Sequence, residues 1–212
     1  MPCNDTLHSI YPLSIDFKVP YGYIVIASGE LREKLEDPNW RWFKYVAENI
    51  YIDTFGFVVG QFDNILEDAH LSYVTHFSVD KDIKYTVASK FTTAQIISFF
   101  AEQVGSAFPF TQFKQVFVPE LGSSAQFSGL SILDEKWILN SKCFDGVLDT
   151  MWQIASGVAY NWSGAYYRPS SWSDYWLTIS IQKYLANLFL GDRFDSQELK
   201  LKISNDVEKY CN

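Results

Sequence analysis

Cysteine is scarce in this 212-residue chain, which has only Cys3, Cys143 and Cys211. Their number is odd, they lie far apart, and no two of them form a C-x-x-C spacing. This pattern argues against both a disulfide framework and a zinc site built from cysteines. The cysteine usage therefore favours a protein of a reducing compartment.

Histidine is equally rare, with residues only at His8, His70 and His76. No two of them are four residues apart, so the chain lacks the H-E-x-x-H pattern that places two imidazoles on one helix face. A G-x-S-x-G turn and a glycine-rich phosphate loop are missing as well. The sequence thus contains no complete catalytic set of these types.

Basic residues are fewer than acidic ones: the chain has 17 Lys and Arg residues and 25 Asp and Glu residues, which gives a formal net charge of -8. Phosphate contacts need clustered Lys and Arg, so we expect this chain not to bind DNA by itself. No apolar run approaches the roughly 18 residues of a membrane span, and the N-terminus lacks a signal-peptide pattern. The glycosylation sequons at Asn4 and Asn161 are therefore interpreted as accidental.

Apolar residues are plentiful, at 48% hydrophobic and 17% aromatic, which is enough for a substantial core. Residues 10–62 are strand-like in SIDFKV, YIVIAS, WRWFKYV and YIDTFGFVVGQF, which predicts antiparallel sheet. The charged stretch ELREKLEDPNW is predicted to be a loop or a short helical turn. The acidic residues Asp63, Glu67 and Asp68 are expected to interrupt the sheet before one more strand, YVTHFSV.

A helical period follows the strands. It predicts a helix of about 20 residues over 83–104, closed by Gly105, and a second over 144–162. The strand FKQVFV and a short strand over 129–133 lie between them. A third helix is expected after Ser171, with a buried face, and a fourth through Leu199 and Ile203. The residues assigned to that buried face are Trp176, Leu177, Ile181, Tyr184 and Leu188. The order of elements predicts an α+β chain.

Five aromatic residues cluster around the end of the second predicted helix: Trp152, Tyr160, Trp162, Tyr166 and Tyr167. They could pack internally or anchor a partner, because aromatic residues dominate interface hot spots. The pattern alone leaves both interpretations open.

Several short motifs carry a family resemblance: Pro2-Cys3-x-Asp5, Ser28-Gly29-Glu30-Leu31, Phe57-Val58-Val59-Gly60, Phe108-Pro109-Phe110 before FKQVFV, and Trp172-Ser173-Asp174-x-Trp176. Together they resemble the aminopeptidase N family of zinc peptidases, and more closely its non-catalytic relatives, the TFIID subunit 2 family. The resemblance covers nearly the whole chain. It implies the C-terminal portion of an all-β domain in residues 1–70 and the first part of a thermolysin-like α/β domain in residues 71–212, within a larger protein.

The same resemblance implies that the zinc chemistry is lost. In alignment with the family, Ser156 and Tyr160 stand where the two zinc-binding histidines would be, Gly157 where the general-base glutamate would be, and Ile179 where the third ligand would be. Serine, tyrosine and isoleucine do not supply the three-ligand cage that a catalytic zinc ion needs. No cofactor is therefore expected.

Two further parts of the family pattern are aligned with this chain. The loop that grips a peptide amine in the peptidases corresponds to Ser123, Ser124, Ala125, Gln126 and Phe127. It carries uncharged Gln126 in place of a glutamate, so substrate anchoring is also expected to be lost. The residues expected to keep the two-helix frame are Trp162, Gly164, Trp172, Asp174 and Trp176.

The resemblance implies a non-enzymatic scaffold segment in RNA polymerase II transcription initiation. It implies nuclear localisation, partners among the other TFIID subunits (TBP-associated factors), and contact with promoter DNA through the assembled complex rather than through this acidic chain.

Two alternatives stay open at this point. One is a peptide-binding or residually active protein of the aminopeptidase family, and the other is a free-standing pseudoenzyme unrelated to transcription.

Overall fold

The N-terminal part of the chain forms antiparallel sheet, as predicted. The computed structural model describes residues 9–68, 70–79, 93–138, 146–194 and 196–211. A three-stranded sheet in the order β1-β4-β3 contains β1 (Ile10–Pro20), β3 (Glu30–Glu36) and β4 (Trp40–Tyr51), and β2 (Ile24–Ala27) pairs with β5 (Phe57–Gly60). The apolar residues packed between these strands are Val19, Val25, Ala27, Phe43 and Tyr45.

The charged segment β3 is a strand, so the prediction of a loop or helical turn there is wrong. It pairs antiparallel with β4 at the edge of the first sheet, and its charged side chains lie in solvent. Arg32 pairs with Glu30 at 3.0 Å, and Arg41 pairs with Glu36 at 3.3 Å. Charged side chains on an edge strand discourage pairing with a further sheet, which explains why a strand here carries a loop-like composition.

The five-stranded second sheet has the order β6-β7-β8-β10-β9. Its central strands β7 (Val74–Ser78), β8 (Phe113–Val118) and β10 (Leu130–Asp134) are parallel, and β6 (Asn64–Glu67) and β9 (Ala125–Phe127) pair antiparallel at the two edges. The sequence prediction missed β6, because the acidic residues around it suggested an interruption. Residue 70, the predicted domain boundary, lies between β6 and β7, which pair with each other.

The helices α1 (Thr93–Val104), α2 (Val147–Tyr160) and α3 (Tyr175–Arg193) pack over one face of the second sheet, and α2 continues into a π-helical turn at Asn161–Tyr166. The last helix, α4 (Ser196–Cys211), packs against α3. Gly105 ends α1 at a φ of 69°, as the sequence predicted. The main core lies between this face and the helices, and its largest fully buried side chains include Trp162, Phe100, Phe113, Phe117 and Phe189. The mixed strand and helix content confirms the α+β class.

Some sequence predictions fall outside the described residues. These are the interpretations of Cys3, His8 and Cys143, the Pro2-Cys3-x-Asp5 motif, the start of the first predicted helix, and the side chain of Cys211. Over the described ranges, no helix is long and apolar enough to cross a membrane.

The buried face of α3 is not the one that the sequence predicted. Its buried residues are Thr178, Leu185, Ala186, Phe189 and Leu190. Trp176, Leu177, Ile181 and Tyr184 are instead exposed, and Leu188 is half-buried. In α4, Leu199 packs on the core whereas Ile203 and Val207 are exposed. Because α3 is apolar on more than one face, spacing by three and four could not select the buried one.

Two of the three sheets, the two-stranded β2-β5 sheet and the five-stranded second sheet, are joined by a packed and hydrogen-bonded junction. Ile26 of β2 packs with Val116, Leu130 and Ile132 of the second sheet. The hydroxyls of Thr54 and Ser128 lie 2.6 Å apart, and the Ser128 N–H donates to the Thr54 carbonyl at 2.8 Å. The position of the two sheets is therefore fixed by both apolar and polar contacts.

Lys114 is a buried cation in this junction. Its ammonium donates to the carbonyl oxygens of Ala27, at 2.8 Å, and of Gly29. Burial lowers the pKa of Lys114 to about 8, against a smaller opposing effect of the Glu30 carboxylate. The pKa is thus lower in the folded state than in the unfolded state, where it is near 10.5.

We expect the stability of the protein to rise between about pH 8 and pH 10.5 relative to that of a K114M variant. Below pH 8 both states hold the proton and the cost of burying the charge is fully present. Above pH 8 the folded state releases the proton first, so the unfolded state binds more protons and stability increases, by on the order of 3 kcal/mol across the window. Urea unfolding of both proteins at several pH values measures the difference.

K136M, at a half-exposed lysine, is the control, and its stability should change with pH in the same way as that of the unchanged protein. Parallel curves for K114M and the unchanged protein would contradict the assignment.

Candidate functional site

The candidate site lies where α2 passes over the edge of the second sheet, at Gly157. A Cβ atom at Gly157 would lie 2.6 Å from Ser131 Oγ and 2.8 Å from Gln126 Oε1. Ser131 Oγ itself donates to Gln126 Oε1 at 2.6 Å. The space beside this helix turn is therefore filled by side chains of β9 and β10, and a methyl group at position 157 would force the ends of the Ser131 and Gln126 side chains to shift.

Ser156, the neighbouring residue of α2, faces α3 and is buried. Gln182 Nε2 donates to both Ser156 Oγ, at 2.8 Å, and the Ser156 carbonyl, at 3.1 Å. No sequence pattern points to Gln182 as a site residue. The only signal is that it is a polar residue within an otherwise mostly apolar helix, one turn after Ile179.

Ile179 lies apart from this contact. It is 42% exposed on α3, while the adjacent Thr178 is buried. The structure thus brings together Ser156, Gly157 and Gln126, together with Gln182, and leaves Ile179 at the surface. Ser123 and Ser124 precede β9, and Ala125, Gln126 and Phe127 form it.

Tyr160 packs its ring against Gly164 in the following π-helical turn. A Cβ atom at Gly164 would lie 2.3 Å from Tyr160 Cε2, so this position also requires glycine. Burial raises the pKa of the Tyr160 hydroxyl well above its usual range, and the nearby Tyr175 hydroxyl and Asp53 carboxylate raise it further. The hydroxyl therefore stays protonated over the physiological range and is a poor anionic ligand for a metal.

Asn161 is the polar residue that ties α2 to the second sheet. It is fully buried; its Oδ1 accepts from the Gly129 N–H at 2.9 Å, and its Nδ2 donates to the carbonyls of Gly157 and Val158. In the sequence, Asn161 stands out only as part of a glycosylation sequon. Because its side chain is enclosed and fully engaged, it is not accessible for glycosylation in this fold.

The residues aligned with the two-helix frame occupy different environments. Trp162 is 1% exposed, donates from Nε1 to the Ala107 carbonyl at 3.2 Å, and meets Phe108 edge-on at a centroid distance of 5.3 Å. Trp172 and Trp176 are exposed, and Asp174 accepts a hydrogen bond of 3.4 Å from Ser170 Oγ. The aromatic cluster divides in the same way, since Trp162 packs internally while Tyr166 and Tyr167 are each half exposed.

Arg168 links the end of the π-helical turn to the first sheet. Its side chain is buried, Nη1 donates to the Gly164 carbonyl at 3.2 Å, and Nη2 pairs with the Asp53 carboxylate. The guanidinium also lies over the Tyr51 ring, 5.0 Å from its centroid. A single cation therefore connects the candidate site to the junction between the sheets.

A row of polar side chains crosses the helix-facing side of the second sheet. The strand registers pair His76 with Gln115, Gln115 with Ser131, and Ser131 with Gln126. Thr93 at the start of α1 donates to Gln115 Oε1 at 2.8 Å. Both His76 ring nitrogens and Gln115 Nε2 have no hydrogen-bond partner among the residues that the structure describes. The row ends at Gly157.

Asp68 lies beside the far end of this row, with Oδ2 3.8 Å from His76 Nε2. Burial raises the pKa of its carboxyl, but His76 and the backbone N–H groups of His70 and Leu71 outweigh that effect and lower it. The Asp68 carboxylate is therefore charged at neutral pH inside the protein. It lies at the opposite edge of the sheet from Gly157.

Around Gly157 the described polar groups are amides and hydroxyls. In the part of the chain that the structure describes, no group of three or more His, Cys, Asp or Glu side chains could hold a metal ion. Ser131 bonds to Gln126 and Gln182 bonds to Ser156, and the first pair fills the space beside Gly157. The evident physical role of this arrangement is to hold α2, α3 and the sheet edge in one geometry.

We expect Gly157→Ala to destabilise the fold by about 1–3 kcal/mol, although alanine normally stabilises a helix interior relative to glycine by about 1 kcal/mol. The added methyl group meets Ser131 Oγ and Gln126 at distances that force a shift. Urea unfolding measures the effect. Gly191→Ala in α3 is the matched control, because its methyl group would meet only the flexible end of Leu199. Introducing G157A into a Q126A/S131A background should recover stability, and a destabilisation of the same size there would refute the crowding argument.

No protein-family model matches the chain. It is similar to "Transcription initiation factor TFIID subunit 2" of Drosophila melanogaster, with 25% identity over 98% of this chain and 17% of the relative's length. The subunits of the same name from Danio rerio and Caenorhabditis elegans are 24% and 20% identical over 98% and 99% of the chain. The chain spans about a fifth or less of the length of these relatives.

Proposed function

Because the chain is TFIID subunit 2-like over nearly its whole length, we propose that it acts in RNA polymerase II transcription initiation as a non-catalytic scaffold segment of a TFIID subunit. The observation that carries this proposal is the match of 98% of the chain to subunits of that name in insect and fish. Its site of action is then the nucleus, and its partners are the other TFIID subunits, the TBP-associated factors.

The geometry at Gly157 supports a role without catalysis. Gln126 and Ser131 occupy the space beside the helix, and Gln182 occupies the hydrogen-bonding groups of Ser156. In this proposal Ser156, Gly157, Tyr160 and Ile179 are the degenerate positions of a former zinc site, in a truncated thermolysin-like domain over residues 71–212 that follows a β domain over residues 1–70. At Ser156, Gly157 and Tyr160, packing and hydrogen-bond contacts take the place of ligands in this proposal, while Ile179 lies at the surface.

The charge of the chain supports an indirect role at DNA. With a formal net charge of -8, the chain repels phosphate rather than attracting it. Positioning on promoter DNA would come through the assembled complex. The scaffold role is supported by the junction between the sheets, where Arg168 and Lys114 fix one rigid arrangement for partners to bind.

Affinity purification of the tagged protein from nuclear extract tests the proposal. We expect TBP and TBP-associated factors to co-purify with it, and not with a W162A variant in which the core is disrupted. Recovery of the unchanged protein without TBP or any TBP-associated factor would overturn the scaffold role.

A residually active or peptide-binding aminopeptidase relative makes the opposite prediction. Stoichiometric zinc by elemental analysis, together with hydrolysis of aminoacyl substrates that a chelator abolishes, would establish it. We expect neither, because the groups in contact with Gly157 and Ser156 are uncharged amides and hydroxyls.

A further inference from the structure

A cavity of about 160 Å³ lies between the first sheet and the second sheet. One wall consists of residues at the start of β3 and near the end of β4, and the other consists of residues 109–112 and 128–129. Ala47 and Ile50 in the lining are buried, whereas Glu48 is exposed. The cavity therefore has an enclosed floor and a polar mouth that is open to solvent.

The wall formed by β4 is an open strand edge. β4 runs to Tyr51, but β3 pairs with it only as far as Val46, which lies opposite Glu30. Among the strands that the structure describes, none pairs with residues 47–51 on the side away from β1. An open edge presents unpaired backbone N–H and C=O groups, to which an extended peptide can add as a further strand.

A bulge in β4 lies at this open edge. Between Ala47 and Ile50, β4 has one residue more than the paired segment of β1, and Asn49 within this interval has a φ of 56°. Asparagine tolerates this left-handed conformation, and a bulge redirects the side chain beside it. The side chain beside Asn49 is that of Glu48, which lines the cavity.

The charges of the lining favour a basic guest. Glu30 and Arg32 pair with each other at 3.0 Å, so the Glu48 carboxylate is the unbalanced charge of the cavity. Glu48 forms no ion pair within the part of the chain that the structure describes. The net charge of -8 adds a field that attracts basic ligands and repels acidic ones.

The volume of the cavity limits the guest to one side chain. A cavity of about 150 Å³ holds a single benzene-sized group. Lysine and arginine combine an apolar stem with a charged end. The stem would pack on Ile50, Pro109 and Phe110, and the charged end would meet Glu48 at the mouth.

We propose that this cavity binds one lysine or arginine side chain of an extended peptide of a partner protein, and that the peptide backbone adds to the open edge of β4. The partner is defined by its chemistry, a basic residue within a strand-forming segment. The inference rests on the cavity, the open edge and Glu48. It is independent of the proposed role in transcription initiation, because its test involves no other TFIID subunit.

Peptide titration followed by nuclear magnetic resonance tests the inference. The 212-residue chain is titrated with the acetylated and amidated hexapeptide TVRVTS and with its acidic counterpart TVEVTS. We expect TVRVTS to shift the amide signals of residues 47–51 and to bind at least about fivefold more tightly than TVEVTS. At saturation it should slow hydrogen exchange in this segment at least about threefold, because strand addition supplies hydrogen-bond partners.

Two variants at exposed positions assign the binding to the cavity. Glu48→Lys should reverse the preference, so that TVEVTS binds more tightly than TVRVTS. Thr111→Trp should weaken TVRVTS binding at least about tenfold, because the indole fills the cavity. Both should keep the melting temperature of the unchanged protein. Glu67→Gln, at an exposed carboxylate of β6, is the control and should bind both peptides as the unchanged protein does.

Four results would overturn the proposal. They are the absence of shifts over residues 47–51 with TVRVTS, equal binding of the two peptides, an unchanged preference in E48K, and binding without slower exchange in the segment. The first three would exclude recognition of a basic side chain in the cavity, and the fourth would exclude strand addition.

Discussion

Replacing Trp162 by alanine is expected to lower the free energy of unfolding by about 3–5 kcal/mol, the usual cost of deleting a fully buried large aromatic side chain. The indole is 1% exposed and lies edge-on to Phe100 and Phe108, at centroid distances of 6.2 and 5.3 Å. Its loss also leaves the Ala107 carbonyl without its donor. Urea unfolding followed by far-ultraviolet circular dichroism measures the change.

Trp176→Ala is the matched control for this prediction. The same substitution at a 64% exposed tryptophan should change the unfolding free energy of the 212-residue chain by no more than about 0.5 kcal/mol. Comparable costs at Trp162 and Trp176 would contradict the burial assigned to α3. The two tryptophans look alike in the sequence, where each stands beside a helix end.

Gly164→Ala is expected to destabilise the protein by about 2–3 kcal/mol through overpacking. The methyl group would lie 2.3 Å from Tyr160 Cε2, and the ring cannot retreat easily because the Tyr160 side chain is largely buried, with Tyr175 of α3 nearby. The π-helical turn would have to open to accept it. Chemical denaturation again gives the magnitude.

A double-mutant cycle assigns that cost to the Tyr160 ring. Gly164→Ala should cost at least about 1 kcal/mol less in a Tyr160→Ala background than in the unchanged protein, since the two residues are in direct contact. Gly191→Ala serves as the control for glycine replacement in a helix. Additive effects at positions 160 and 164 would show that the strain lies in the backbone of the turn and not in the ring contact.

The sequence was sufficient for the elements whose apolar residues occupy one face. The first sheet, the strand FKQVFV and the end of α1 at Gly105 were all predicted. β3 was not, because a strand at an exposed edge can be charged on both faces, and its composition then matches that of a loop. For α3, apolar residues occur on two faces, and only the tertiary structure selects Thr178, Leu185 and Phe189 as the buried set.

The candidate site was only partly accessible from the sequence. The importance of Ser156 and Gly157 was inferred from a family resemblance, but their contacts with Gln182 and Gln126 depend on residues 26 and 31 positions away that no local pattern connects. Asn161 is the clearest omission. Two of its three hydrogen bonds are local, to the carbonyls of Gly157 and Val158 in α2. The third joins it to the Gly129 N–H, 32 positions away, and no local pattern in a single sequence connects those two residues.

The junction between the two sheets has a consequence for synthesis on the ribosome. Its hydrogen bonds join residues 74 and 87 positions apart in the chain, as in the pairs Thr54 with Ser128 and Ala27 with Lys114. At translation rates of about 5–20 residues per second, the ribosome needs roughly 4 to 15 s after Thr54 to synthesise Ser128, its hydrogen-bond partner. During that interval the apolar side chain of Ile26, which later packs against the second sheet, remains uncovered, so the nascent chain is most open to aggregation and to chaperone binding at this stage.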